Sequence, residues 1–119
     1  MKRVSVVGLV TAFTIIAVVG AALAAGDPAK GKASYDQICA SCHGASGKGD
    51  GAAAAALNPK PKDLSDKKYV GGLKDDYIKK IIKEGGPAVG KSPLMPPMGS
   101  GLKDDDVENV ISYVRSLAK

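Results

Sequence analysis

Apolar positions follow two different patterns along this chain. From Val4 to Leu23 they run together without a charge. Beyond residue 27 they return every three or four residues, the spacing of one helical face. Asp27-Pro28 predicts a helix start, a capping carboxylate followed by proline at the first helical position. Tyr35, Ile38, Cys39 and Cys42 then fall at i, i+3, i+4 and i+7, so one continuous helix would present all four on one face. Gly31 sits inside that helix at a cost of about 1 kcal/mol against alanine, tolerable where another element approaches closely.

Four glycines in Gly44–Gly51 predict a loop, and Ala52–Leu57 a short helix stopped by Asn58-Pro59-Lys60-Pro61. The loop lacks the strand before it and the Gly-Lys-Ser/Thr ending of a phosphate cradle. Gly72-Leu73-Lys74-Asp75-Asp76 and Gly101-Leu102-Lys103-Asp104-Asp105 repeat one local pattern. Leu73 with Ile78, and Leu102 with Val107, have the spacing of a hydrophobic staple at a helix start. Lys74 and Lys103 become the N-caps, and the aspartates complement the helix dipole. The first of these helices carries Tyr77, Ile78, Ile81 and Ile82 and stops at Gly85-Gly86-Pro87. The second carries Val107, Val110, Ile111, Val114 and Leu117 as a core stripe, with Tyr113 beside it. No segment alternates as a strand does, so the fold class is all-α.

The first apolar run changes the picture of where the protein works. Lys2 and Arg3 precede it, and Ala22-Leu23-Ala24 ends it with small residues, as in a secretory leader. Residues 1–24 are therefore expected to be removed, leaving 25–119 as one domain in the periplasm; the alternative is an uncleaved membrane anchor. The net charge of the 119 residues is +5, to which Lys2 and Arg3 contribute two. That mild excess, with no Trp and a single Phe inside the leader, excludes a nucleic-acid stacking platform.

The chemistry is concentrated in Cys39-Ala40-Ser41-Cys42-His43, which holds both cysteines and the only histidine. Two sulfurs one helical turn apart reach two carbons of one porphyrin, and the following histidine reaches its iron. A tetrahedral zinc site would need four ligands, and a thiol redox pair would need a βαβ setting. Neither is available. The pattern predicts one covalent haem c, with Cys39 and Cys42 as thioether anchors and His43 as proximal ligand. With no second histidine, the other axial position falls to methionine, lysine, tyrosine, water or nothing. Beyond the leader the methionines are Met95 and Met98, both in a proline-bound loop that would hold a thioether rigidly.

With these motifs the chain resembles the class I c-type cytochromes, small monohaem electron carriers. The resemblance rests on Gly31 and Tyr35 ahead of Cys39–Gly44, on Met95-Pro96-Pro97 before Leu102, and on Ile111-Ser112-Tyr113-Val114-Arg115. It implies three to five helices around the haem and Met95 as the distal ligand, with Met98 as alternative. It also implies a crossing of first and last helices that sets Gly31 against Tyr113. The carbonyl of Pro59 or Pro61 would accept from the histidine's other nitrogen. Two features depart from the pattern: the lysine cap of the last helix, and a stretch without landmarks from Asn58 to Val70.

The resulting expectation is a one-electron carrier, not an enzyme, monomeric and transiently bound to redox protein partners. Lys48, Lys60, Lys62, Lys74, Lys79, Lys80 and Lys91 are candidates to ring the haem edge and steer acidic partners. The rivals are a haem subunit of a larger dehydrogenase or reductase, an open-iron enzyme or gas sensor if no methionine binds, and a haem-free thiol oxidoreductase.

Overall fold

In the computed structural model, residues 26–119 are described; the leader expected over residues 1–24 lies outside them. Five α-helices follow one another: α1 Pro28–Ile38, α2 Ala40–His43, α3 Lys67–Gly71, α4 Asp75–Glu84 and α5 Asp104–Leu117, with single 3-10 turns at Ala54–Ala56 and Gly86–Val89. Among the described residues there is no strand, as the sequence pattern requires. Nor is any of these helices long and apolar enough to cross a membrane.

The start of α1 is as its sequence predicts. The Asp27 carboxylate accepts from the backbone N–H groups of Ala29 and Lys30, and Pro28 opens the helix. Its end differs. The continuous helix expected through Cys42 stops at Ile38, and the chain bends at Cys39 (φ −113°, ψ −38°) before α2 begins. The carbonyls of Ser41, Cys42 and His43 are taken instead by loop donors, the N–H groups of Ala53, Gly51 and Gly49, at 2.8–3.1 Å. The glycine loop thus folds back along α2 and supplies the partners that a longer helix would have supplied. The helix expected over Ala52–Leu57 shrinks to the turn Ala54–Ala56, with only Ala54 buried. Alanine favours a helix, but six residues cannot nucleate one without packing.

Lys74 and Lys103 occupy the N-caps of α4 and α5 without a side-chain capping bond, and aspartates fill both first turns. The core gathers Tyr35, Val70, Ile78, Ile82 and the α5 stripe Val107, Val110, Ile111 and Val114, with Leu73 and Leu102 packed against it. Those two leucines close the helix starts over the core that α4 and α5 bury.

The main packing is α1 on α5. Gly31 makes it possible: a Cβ there would fall on the Asn109 carbonyl and lie 2.9 Å from the Val110 nitrogen. The expected opposition of Gly31 and Tyr113 is shifted by one turn. Gly31 meets the Asn109–Val110 backbone, whereas Tyr113 stacks edge-to-face on Tyr35, with centroids 5.0 Å apart and rings at 65°. The Asn109 side chain adds a bond by accepting from the Asp27 N–H at 2.7 Å. Between α4 and α5, Lys83 reaches Asp104 at 2.7 Å, and Lys79 reaches both Asp104 and Glu108 at 3.4–3.5 Å.

Candidate haem site

The packed helices leave a cavity of about 620 Å³. Cys39, Cys42 and His43 line it, and so do Met95 and Met98. Its walls are apolar, supplied by side chains such as Ile38, Leu64, Leu73 and Ile81. The sequence-predicted site residues are therefore brought together, although 52 positions of chain separate His43 from Met95.

His43 is the best-defined of these groups. Its Nδ1 lies 3.1 Å from the Lys62 carbonyl oxygen. A carbonyl only accepts, so Nδ1 carries the proton and Nε2 keeps its lone pair. This corrects the expectation for Pro59 or Pro61. The acceptor is the residue after Pro61, whose own carbonyl instead packs against the Gly49 backbone. Burial lowers the imidazole pKa, and the Lys62 carbonyl opposes that shift. The ring is thus neutral and ligand-competent at pH 7.

Cys39 and Cys42 are not joined to each other. Burial, and then the neighbouring Cys42, push the Cys39 thiol up to about 12. Thiol oxidoreductases need the opposite, a depressed pKa that yields thiolate near neutrality. Cys39 is therefore not set up as an exchanging thiolate.

The methionine loop is fastened by its backbone. The Gly86 N–H donates to the Met95 carbonyl at 2.8 Å, and the Gly99 N–H to the Ile82 carbonyl at 2.8 Å. Gly85 (φ 84°) lets the chain leave α4 in a left-handed turn, close enough that a Cβ there would stand 3.0 Å from the Met95 carbonyl. Met95 is half-buried, whereas Met98 is 43% exposed.

The residues present fit a haem. Two unjoined thiols, a neutral imidazole with its outer nitrogen already held, and a thioether surround an apolar space large enough for a porphyrin. Three lysines, Lys60, Lys62 and Lys91, line the cavity, and no acidic side chain does. Of the other lysines expected at the haem edge, Lys79 is committed to Asp104 and Glu108, and Lys48 lines a separate cleft with Ser46 and Ser65.

Several positioning residues escaped the sequence reading. Asp66 caps α3, accepting from the N–H groups of Lys68 and Tyr69. An aspartate just ahead of Lys67–Gly71 was the available signal. Arg115 of α5 reaches the carbonyls of Val70 and Leu73 and the carboxylate of Asp75. It holds the α3–α4 turn that presents Tyr69, Leu73 and Tyr77 to the cavity, and nothing in the sequence pairs these positions.

Comparison with known proteins agrees with this geometry. The Cytochrome c family model matches residues 28–118. Cytochrome c-554(547) of Halothiobacillus neapolitanus is 36% identical over 98 residues, covering 78% of this chain and 99% of that protein. The solved KustC0563 c-type cytochrome superposes with a TM-score of 0.60 at 25% identity, covering 75% of this chain and 98% of that one. The reducing HAO-like protein complex Kustc0457/Kustc0458 of Kuenenia stuttgartiensis contains a chain matching with a TM-score of 0.63 at 27% identity. There 80% of this chain corresponds to 44% of the other. The chain belongs to the cytochrome c family of electron-transfer proteins and carries one covalent haem c.

Proposed function

We propose that this chain is a class I, His/Met-ligated electron carrier, exported by residues 1–24 and working in the periplasm as a domain spanning 25–119. Cys39 and Cys42 would hold the haem through thioethers. His43 would bind the iron through Nε2, with its ring oriented by the Lys62 carbonyl. Met95 would be the second ligand. Its loop is clamped to the end of α4, and its side chain is the more buried of the two candidates. A bound haem would supply one-electron chemistry between Fe(II) and Fe(III). The chain's part would be to ligate the iron through His43 and Met95 and to keep water out with apolar walls. With His43 and Met95 both on the iron, no open coordination site would remain for a substrate, which supports a carrier over an enzyme.

Lys60, Lys62 and Lys91 give the cavity mouth a positive sign that favours acidic redox partners and fast, salt-sensitive encounters. Transient redox contacts are small, below about 1,200 Å², which suits a monomer that exchanges partners.

The observation that carries this reading is the meeting of Cys39, Cys42, His43 and Met95 on one cavity. The test is the visible spectrum of the ferric holoprotein. Wild type and Met98→Ala should show the weak long-wavelength band of sulfur-to-iron coordination, and Met95→Ala should lose it and bind carbon monoxide when reduced. Loss of the band in Met98→Ala, with retention in Met95→Ala, overturns the assignment. Ready binding of carbon monoxide by the wild type would favour the open-iron enzyme or sensor instead.

A second reading, a haem subunit of a larger complex, is favoured by the match to a chain of the reducing HAO-like complex. A stoichiometric partner that survives purification would support it.

A further inference from the structure

We infer that the Tyr35 hydroxyl is a positioning group for His43, acting through the carbonyl of Gly44. The inference rests on the reading of His43 as the iron-binding residue.

Tyr35 is completely buried and lines the haem cavity. It touches the attachment segment at both ends. Its backbone carbonyl accepts from the Cys39 N–H at 2.8 Å, and its hydroxyl donates to the Gly44 carbonyl, also at 2.8 Å. One residue therefore brackets the whole stretch from the first cysteine to the peptide just after the histidine.

That stretch needs bracketing. α2 has only four residues and no side-chain cap, and Gly44 leaves it at φ 83°. A four-residue helix has no stability of its own. Its direction is set by what holds its two ends. The Lys62 carbonyl fixes the imidazole at the ring, and the Gly49 N–H fixes the His43 carbonyl at 2.8 Å. The Tyr35 hydroxyl fixes the next peptide plane. A shift of that plane would rotate the His43 backbone and swing the ring about its bond to the metal.

Packing alone does not explain the hydroxyl. The ring stacks on Tyr113, and a phenylalanine would stack equally well. Burying a hydroxyl costs free energy unless it is bonded. Burial has also raised its pKa, so it remains a neutral donor across the physiological range. Gly44 also accepts from the Gly47 N–H at 3.1 Å, so removing the hydroxyl leaves no orphaned carbonyl. Tyr35→Phe is therefore expected to fold with its haem.

The test compares holoprotein of wild type, Tyr35→Phe and Tyr113→Phe. Tyr113→Phe alters the other ring of the same pair without touching Gly44. The readout is the proton NMR spectrum of the ferric protein, where the spread of the haem-methyl resonances reports the orientation of the axial imidazole. The midpoint potential is measured alongside. Tyr35→Phe should shift the haem-methyl pattern and the potential, and Tyr113→Phe should leave both in place. Unchanged values in Tyr35→Phe, or equal changes in both variants, overturn the inference even if melting temperatures fall. A second measurement does not need the variant to fold. In the wild type, the Tyr35 hydroxyl proton should exchange slowly with solvent, and free exchange overturns the inference as well. A wild type lacking haem or imidazole coordination would instead remove the reading of His43 itself.

Discussion

Replacing Gly31 by alanine probes the packing that carries the fold. The new methyl group would fall on the Asn109 carbonyl and 2.9 Å from the Val110 nitrogen, both backbone atoms of α5. Neither can turn aside as a side chain could. Restoring an ordinary separation of about 3.5 Å requires α1 and α5 to part by roughly 1.5 Å along their main contact. Overpacking of a tight core costs about 1–3 kcal/mol, and a backbone-to-backbone clash belongs at the upper end. Alanine recovers about 1 kcal/mol of helix propensity. The net loss is therefore about 2 kcal/mol, or roughly 8–16 °C in melting temperature for a domain of this size. The assay is the thermal melt of the ferric holoprotein by circular dichroism at helical wavelengths. Gly71→Ala is the matched control. Gly71 closes α3, and a Cβ there meets nothing within 4 Å. That variant should be neutral or gain up to about 1 kcal/mol. A Gly31→Ala protein melting at or above the wild type, or a Gly71→Ala protein falling equally, would show that α1 does not rest on α5 through this glycine.

The helix cap, the ion pairs of α4 with α5 and the cavity each carry a further expected outcome. Lys103 has the extended backbone of an N-cap but makes no capping bond, so Lys103→Ser should raise stability by about 1 kcal/mol in a chemical denaturation series, and no gain would mean that the cap is elsewhere. The Asp104 carboxyl is held below its ordinary value of 3.8, first by the hydrogen bond from Lys83 and then by the charge of Lys79. Its contribution is therefore present above that value and lost as pH falls through the depressed one. Wild type should melt above Asp104→Asn at pH 7, and the two should converge in acid below the depressed value; a gap that persists there refutes the ion pair as its cause. Finally, a Cys39→Ala, Cys42→Ala chain would leave a space of about 620 Å³ at the centre of a small domain. Apolar walls left wet lose the burial that holds α3 and α4 in place, so circular dichroism should show helicity well below the holoprotein, and a native-like spectrum would contradict this.

The residues proposed to bind the haem could be picked out of the sequence because their chemistry is local. Two cysteines and a histidine in five positions need no tertiary knowledge, and the loop around Met95 is marked by its prolines. Helices α4 and α5 were legible for a different reason, since each buries a periodic stripe against one core. What the sequence concealed depends on contacts between distant positions. The acceptor for His43 is a main-chain carbonyl, and Lys62 differs from Pro61 in nothing that a side-chain pattern can reveal. The bend at Cys39 and the loop amides that take the carbonyls of Ser41, Cys42 and His43 leave no mark in the helical spacing of Tyr35, Ile38, Cys39 and Cys42. The helix α3 is too short to display a period, and only its Asp66 cap announces it. Lys79 illustrates the limit for charge: its composition suggests a steering lysine, but the register of α4 on α5 gives it to Asp104 and Glu108.

The seat of Gly31 on Asn109 joins two positions that lie 78 apart in the chain. At roughly 5–20 residues per second, a growing polypeptide displays its first helix for about 4–16 s before the partner emerges. Until that seat forms, α1 lacks its main partner, so the docking of the last helix is what fixes the first one and, with it, the segment that carries both thiols and the imidazole.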